Sequence, residues 1–436
     1  MSLPIVAVVG RPNVGKSTFV NRIAQTADAI VHEARGVTRD RSYHRAEWNG
    51  RDFMLIDTGG IENTKDDPFA ESITAQALTA TTEADIIIVL VDSTTGMTTA
   101  DEEVARRLKR ASAPVFLVVN KMDTPNRDDE IHEFWGLGLG QPWPVSATHG
   151  HGTGDLLDEI VNVLPAPEPV IETDAIDVAI IGKPNAGKSS LLNRLVGTDR
   201  AIVSEVAGTT RDALDVLVER EGRSYRFVDT AGIRRKARID ADVEYYGFVR
   251  AMRAIDNAEL ALLVIDATEG VTDQDQRVAR FAAERGCALI ILLNKWDLVD
   301  DPEWREEIDY QLKDRLGFVS YAPVLRISAL TGAKVTRIFK AIETSWGNYT
   351  QQIPTSKLNR VLTEMREFGH TVSKGSRTLR IHYMTQTRTS PPGFTLFANH
   401  PQLADDSFKR YVENRLREAF DFAGTPMILK FKHKDS

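Results

Sequence analysis

Cysteine is almost absent from this chain, with Cys287 the only one among 436 residues. An internal disulfide is therefore excluded, and a reducing cytosol is the expected compartment. Cys287 leads into the apolar stretch Ala288 to Leu293 and reads as a small buried side chain. Also missing is any apolar run near the ~18–20 residues of a membrane span, so no membrane partner is expected. The opening Met1-Ser2-Leu3-Pro4 lacks the basic-then-apolar layout of a signal peptide. No low-complexity tract occurs, and 42% hydrophobic with 27% charged residues is the balance of a soluble globular protein. The length gives a prior of about two to four domains.

Charge is unevenly spread. Residues 355–436 hold six lysines and eight arginines against eight acidic residues, a net +6, which leaves −14 for the rest of a chain at −8. An acidic body with a basic tail suits contact with nucleic acid through one end, although a solvated surface has the same composition.

What is present, twice, is a phosphate-binding loop. Gly10-Arg11-Pro12-Asn13-Val14-Gly15-Lys16-Ser17 recurs 172 residues later as Gly182-Lys183-Pro184-Asn185-Ala186-Gly187-Lys188-Ser189. Each follows an apolar run (Ile5–Val9, Val178–Ile181) and precedes a helical pattern (Thr18–Ile23, Ser190–Leu195), the context such a loop needs. Successive backbone N–H groups can point at phosphate oxygens, Lys16 and Lys188 can reach the β- and γ-phosphates, and Ser17 and Ser189 can ligate magnesium.

The repetition extends across a whole domain. Gly36-Val37-Thr38-Arg39-Asp40 matches Gly208-Thr209-Thr210-Arg211-Asp212, and Asp57-Thr58-Gly59-Gly60 matches Asp229-Thr230-Ala231-Gly232, both at 172. Asn120-Lys121-Met122-Asp123 matches Asn294-Lys295-Trp296-Asp297 at 174, and Ser146-Ala147 matches Ser328-Ala329 at 182. The small drift places insertions in surface loops of the second copy. In each copy buried strands alternate with amphipathic stretches such as Asp101–Ser112, which predicts a mostly parallel sheet with helices on both faces. The expected domains are 1–164, a proline-rich linker 165–175, 176–350, and 351–436. The last reads helix 356–368, strand 378–385, strand 393–398, helix 407–420, strand 426–431, a small α+β layer with its helices on one face.

A phosphate loop alone leaves ATP and GTP open, and the N-K-x-D element decides. The carboxylate of Asp123 or Asp297 can accept from the two donors of guanine, N1–H and the exocyclic amine, whereas adenine offers an acceptor at N1. Asn120 and Asn294 can serve the other edge of the base, the stems of Lys121 and Lys295 can cover its plane, and Ser146-Ala147 and Ser328-Ala329 can close the pocket with backbone donors. Asp57 and Asp229 can hold the magnesium shell, Gly60 and Gly232 can donate to the γ-phosphate, and Thr38 and Thr210 can complete the metal site when GTP is bound. Where many GTPases carry a water-orienting glutamine, this chain has Ile61 and Ile233. Asn13 and Asn185 can hold a potassium ion beside the phosphates, or stabilise their loops through local hydrogen bonds.

In motif content and order the chain resembles the bacterial EngA (Der) GTPases: G-R-P-N-V-G-K-S, G-V-T-R-D, D-T-G-G and N-K-M-D, then G-K-P-N-A-G-K-S, G-T-T-R-D, D-T-A-G and N-K-W-D. The likeness continues in the tail, at Thr355–Arg360, Ser390-Pro391-Pro392 and Arg410–Phe420. The resemblance implies an α/β chain of two tandem Ras-like P-loop G domains followed by a small α+β KH-like domain. It further implies Mg-dependent, K-stimulated hydrolysis of GTP to GDP, and work on large ribosomal subunit assembly through rRNA and pre-ribosomal particles. A cytoplasmic monomer is expected. One departure matters, and the two G domains also differ from each other. No two glycines of the tail (Gly369, Gly375, Gly393, Gly424) are three apart, so the G-x-x-G backbone clamp of RNA-binding KH domains is missing. Lys374, Arg377, Arg380 and Arg388 are the candidates for phosphate contact, with solvated charge as the alternative. The segment after D-T-A-G, Arg234-Arg235-Lys236-Ala237-Arg238, is basic, whereas the matching Glu62–Asp67 is acidic. The basic copy is expected to meet RNA or an acidic neighbour, or to be a charged loop without a partner. Thr148-His149-Gly150-His151-Gly152 reads as a loop rather than a metal site.

Overall fold

A computed structural model describes residues 3–26, 43–57, 84–123, 131–165, 174–197, 202–205, 215–228, 230, 251–367, 373–374 and 377–433. Thr38, Thr210, Thr58, Gly59, Gly60, Ile61, Asp229, Ala231, Gly232, Ile233 and the segments 62–67 and 234–238 lie outside them. Two compact units take in the described residues 3–165 and 174–433.

The first unit carries β1 (Ile5–Val9), α1 (Lys16–Thr26), β2 (Tyr43–Trp48), β3 (Arg51–Asp57), β4 (Ile86–Asp92), α2 (Thr99–Leu108), β5 (Val115–Asn120), β6 (Pro142–Pro144) and α3 (Thr153–Val163). The sheet order is β2-β3-β1-β4-β5-β6, parallel except for the β2–β3 hairpin. Strands buried on both faces explain the unbroken apolar runs. Val6 and Val8 face a core with Phe19, Val20, Ile23, Leu156 and Ile160. Ala7 and Val9 face the opposite core with Val104, Ala105 and Leu108. Alternate side chains thus seat helices on the two faces. Helix α2 starts at a reciprocal cap, in which the Thr98 side chain accepts from the Asp101 N–H while the buried Asp101 carboxylate accepts from Thr98.

The second unit repeats the plan with β7 (Ile176–Ile181), α4 (Lys188–Val196), β8 (Ile202–Glu205), β9 (Val216–Arg220), β10 (Arg223–Val228), β11 (Leu260–Asp266), α5 (Asp273–Glu284), β12 (Ala288–Asn294), α6 (Pro302–Arg315), β13 (Val324–Arg326) and α7 (Arg337–Thr350). Its order is β13-β12-β11-β7-β10-β9-β8, and its two sheet faces again carry separate cores. The antiparallel strands β2, β8 and β9 were not foreseen, because YHRAEW, IVSE and VLVER are short and mix polar with apolar residues.

The chain then continues through α8 (Thr355–Glu367), the short hairpin β14 (Ser373–Lys374) and β15 (Arg377–Thr378), β16 (Ile381–Arg388), β17 (Gly393–Ala398), α9 (Asp406–Phe420) and β18 (Ile428–His433). The sheet order is β16-β17-β18, with β17 antiparallel to β16 and parallel to β18. Helices α8 and α9 cover one face around Leu358, Met384, Phe394, Leu396 and Val412. Strand β16 starts three residues later than expected and ends at Arg388, past a register shift between Ile381 and Tyr383. This layer is joined to the second sheet. The Leu289 N–H donates to the Gly424 carbonyl (2.8 Å), the Gly424 N–H donates to Tyr321 O (2.7 Å), and the Arg417 guanidinium lies 4.6 Å over the Tyr321 ring. Among the described residues no helix is long and apolar enough to cross a membrane.

Candidate active site

Strands β1 and β7 run straight into the glycine loops, and α1 and α4 begin at the loop lysines. Gly15 has φ +94°, and a Cβ there would sit 2.6 Å from the Asn120 amide nitrogen; Gly187 repeats this at φ +96° against Asn294. Glycine is required at these points by both backbone sign and close approach. The Lys16 ammonium is buried and donates to Gly10 O (2.7 Å) and Arg11 O (3.1 Å). Lys188 donates to Gly182 O (2.7 Å) and Lys183 O (2.6 Å). Each amine is thereby held over the concave side of its loop. Asn13 (φ 66°) and Asn185 (φ 61°) take the left-handed backbone that asparagine tolerates best among side-chain-bearing residues.

Asn120 and Asn294 link the phosphate loop to the segment that follows the last strand of the motif set. Asn120 donates its amide to Val14 O (2.8 Å) and accepts from the Ala147 N–H (3.0 Å). Asn294 donates to Ala186 O (2.8 Å) and accepts from the Ala329 N–H (2.9 Å). Both are about 2% exposed and tie the phosphate loop to the Ser-Ala segment, so they brace the pocket. The Ala147 and Ala329 N–H groups, expected to close on the base, are engaged in that brace. Asp123 and Asp297 are exposed at the pocket, and Asp123 accepts from the Ser146 hydroxyl at 2.6 Å. In the second G domain Gly187, Asn294, Lys295, Asp297, Leu298, Ser328, Ala329 and Leu330 line a cavity of about 180 Å³.

Two pairs of residues escaped the motif reading. Asp92 and Asp266, at the ends of β4 and β11, are 2% and 1% exposed. Asp92 accepts from Lys121 Nζ at 2.7 Å and from the Thr94 hydroxyl at 2.7 Å; Asp266 accepts from Lys295 Nζ at 2.5 Å and from Thr268 at 2.7 Å. Burial pushes each carboxyl up, but the lysine and threonine hydrogen bonds outweigh it and hold both below the ordinary carboxylate value. The lysines, in left-handed backbone at φ 68° and 59°, are fixed in a strained conformation by these carboxylates. Arg22 donates to Ala147 O (2.9 Å) and to Thr148 O, and Arg194 repeats this with Ala329 O (3.3 Å) and Leu330 O. The signal for both pairs was in the sequence, since Asp92 and Asp266 are 174 apart and Arg22 and Arg194 172 apart, the offsets of the neighbouring motifs.

Met122 is buried and Trp296 half-buried beneath the pockets. Pro12 and Pro184 stand in the loops, while Val14 and Ala186 anchor them in the cores. Thr230 is fully buried. The carboxylate of Asp57 is buried at the end of β3, and the Ser17 hydroxyl is exposed at the start of α1. This oxygen-only pair suits a hard divalent cation such as magnesium; in the second copy Ser189 is exposed in the same way. The histidine loop frames the base pocket. The Ser146 N–H donates to His151 O at 3.0 Å, and the His149 N–H donates to Ser146 Oγ at 3.1 Å. Arg377, Arg380 and Arg388 are exposed, and Lys374 lies on β14.

The family model described as "50S ribosome-binding GTPase" matches residues 5–121 and again 177–295, and that of the "KH-domain-like of EngA bacterial GTPase enzymes, C-terminal" matches 352–432. The GTPase Der of Moorella thermoacetica is 48% identical, covering 99% of this chain and 99% of its own length. The GTPase Der of Nostoc punctiforme is 47% identical over 100% of this chain and 96% of its own. A solved complex of Era with MgGDPNP and a 16S ribosomal RNA fragment is similar over 60% of this chain and 93% of its own, at 22% identity and a TM-score of 0.31. With two tandem G domains, a KH-like C-terminal domain and full-length relatives near half identity, the chain belongs to the EngA (Der) family of bacterial GTPases.

Proposed function

We propose that this GTPase is a switch in assembly of the large ribosomal subunit, binding rRNA and pre-ribosomal particles according to the nucleotide held in its two pockets. It acts as a cytoplasmic monomer, with domain boundaries at 164, 176 and 351. The observation that carries the nucleotide half is the brace repeated in both halves, Asn120 and Asn294 tying the phosphate loop to the base pocket. The ribosomal half is supported by the description of the family model that matches twice.

Lys16 and Lys188 leave their loop carbonyls to meet β- and γ-phosphate oxygens, and the loop N–H groups bind the remaining oxygens. Asp123 and Asp297 accept from the guanine donors, while Lys121 and Lys295, held by Asp92 and Asp266, cover the ring. Ser17 with Asp57, and Ser189 with Asp229, would hold magnesium, joined by Thr38 and Thr210 in the GTP state. When bound, the metal neutralises charge developing on the transferred phosphoryl group. Ile61 and Ile233 cannot orient water; Asn13 and Asn185 would hold a potassium ion, which would supply positive charge beside the phosphates. Turnover in potassium buffer is then expected to exceed that in sodium buffer, and equal rates would remove the potassium assignment.

The decisive experiment is sedimentation of the purified chain with ribosomal subunits under GTP analogue, GDP and no nucleotide. Co-migration with the large subunit only in the analogue state is expected; its absence in every state would defeat the ribosomal reading.

A further inference from the structure

The KH-like layer lacks the glycine pair of a backbone clamp, yet its sheet has one face that the helices leave open. Register across the three strands fixes what that face displays. Ile381, Met384, Phe394, Leu396 and Phe431 point into the helix-covered core. The opposite rows are therefore Tyr383–Phe397–Lys432 and Thr385–Thr395–Lys430, followed by Arg388–Gly393–Ile428.

Three properties set this face apart. Tyr383 and Phe397 stack nearly flat on each other, 4.3 Å between centroids at 13°, and Tyr383 is 39% exposed. Lys430, Lys432 and Arg388 are exposed beside them. The strands IHYMTQTR, GFTLFA and ILKFKH contain no aspartate or glutamate, in a chain that is acidic overall. Thr387 and Thr395 add hydroxyls 3.2 Å apart between the aromatic and basic rows.

We propose that this open sheet face binds an unpaired RNA segment, with bases stacking on the Tyr383–Phe397 pair and phosphates meeting Lys430, Lys432 and Arg388. A flat exposed ring such as that of Tyr383 selects bases that are out of a duplex, because only those present a π-face. The lysines, one strand away from the rings, track the backbone, and the absence of carboxylates removes repulsion of phosphate. A paired helix would offer phosphates alone and leave the rings unused. The proposal rests on the rRNA-binding reading above and names the surface and the kind of RNA.

The test uses the full-length chain and a short labelled oligoribonucleotide of unstructured sequence, alone or annealed to its complement, followed by fluorescence anisotropy. The single strand is expected to bind more tightly than the duplex. Tyr383→Ala is expected to weaken it about tenfold, with Tyr383→Phe retaining affinity as proof that the ring acts. Lys430→Gln with Lys432→Gln is expected to flatten the log–log salt slope by about 1.4, roughly 0.7 for each phosphate contact. Equal affinity for strand and duplex, or no loss on Tyr383→Ala, overturns the assignment. Binding of the chain to RNA-free ribosomal protein through this face, with none to the oligonucleotide, also overturns it in favour of a protein partner. The same preparations are sedimented with large subunits. Co-migration with flat oligonucleotide binding defeats this surface alone, while tight strand binding without co-migration defeats the ribosomal reading and leaves the surface standing.

Discussion

The second residue of the phosphate loop is Arg11 in the first G domain and Lys183 in the second. Arg11 reaches three partners on the neighbouring loop and helix start. It donates to the Thr95 hydroxyl and lies 3.8 Å from the Asp92 carboxylate and 3.7 Å from that of Asp101. Lys183 pairs with Glu269 at 2.5 Å, a residue whose own side chain is 59% exposed. Behind this difference the brace through Asn120 and Asn294 and the Asp–Lys pairs beside it are the same in both copies. Duplication has kept the geometry that recognises the nucleotide and released the contacts that hold the loop's outer rim. Recognition depends on atoms that must be placed to tenths of an ångström, whereas loop anchoring is satisfied by any partner of suitable charge.

The largest effect is expected at the shared part. Asp123→Asn or Asp297→Asn replaces two acceptor oxygens by one oxygen and an amine facing guanine donors. Each is expected to cost its own pocket about 100-fold or more in guanine nucleotide affinity, with the other pocket unaffected. Calorimetry resolving the two sites would measure it. ATP bound as tightly as GTP by the wild type in both halves would refute the entire guanine assignment.

Next come Asp92→Asn and Asp266→Asn, each expected to weaken nucleotide binding about tenfold by releasing Lys121 or Lys295. Asp92→Asn is expected to do more, because Arg11 loses a charge partner as well. The sign of the pH dependence follows from the lowered pKa values. Stabilisation is fully present above the ordinary aspartate value of 3.8 and is lost as pH falls through the lower folded value. Both wild-type pockets should therefore hold their lysines through mildly acidic pH. Equal losses for the two variants would show that Arg11 draws nothing from Asp92.

Motif spacing made the phosphate loops and N-K-x-D elements legible, because those chemistries demand fixed residue types within a few positions of one another. Asp92 and Asp266 were not legible as functional residues. A carboxylate ending an apolar strand has no local partner; its lysine lies 29 residues on and meets it only because β4 and β5, or β11 and β12, are adjacent parallel strands. The bracing bonds of Asn120 were illegible for a related reason. Its partners Val14 and Ala147 are 106 and 27 residues distant and converge only when the sheet forms. The core strands announced themselves by unbroken burial, whereas β2, β8 and β9 depend on hairpin pairing to an already buried neighbour. The tail's helix and strand order was readable from its periodicity, but the open face of its sheet required the register.

A smaller effect is expected at the rim of the base pocket, where the Ser-Ala segment is followed by Thr148 in the first copy and Leu330 in the second. Leu330 is 76% and Leu298 64% exposed beside the cavity, so a guanine ring would cover apolar surface that water now meets. At about 25 cal/mol per Å² this favours the second pocket by roughly 1 kcal/mol. Leu330→Thr is expected to weaken GDP binding several-fold there, and Thr148→Leu to strengthen it in the first pocket. Competition binding on each variant would show it. Unchanged affinity in both would mean that the rim side chains stay clear of the base.

The smallest perturbation uses the lone thiol, which lies beside β12 in the second unit. Burial pushes Cys287 up to about 12, and its Sγ is 3.2 Å from Ala258 O and 3.4 Å from Ile255 O. At neutral pH it stays a neutral thiol with no access, and alkylation is expected only when this unit opens. Two residues along, the Leu289 N–H holds Gly424 of the KH-like layer, so the thiol reports on the same strand that joins that layer to the sheet. GDP bound in the second pocket should slow alkylation, since nucleotide stabilises the folded state of the unit that binds it. Asp297→Asn should abolish that protection, whereas Asp123→Asn should leave it intact. Equal loss in both variants would mean that the two halves open as one, and the contrast between them would then lie only in local contacts.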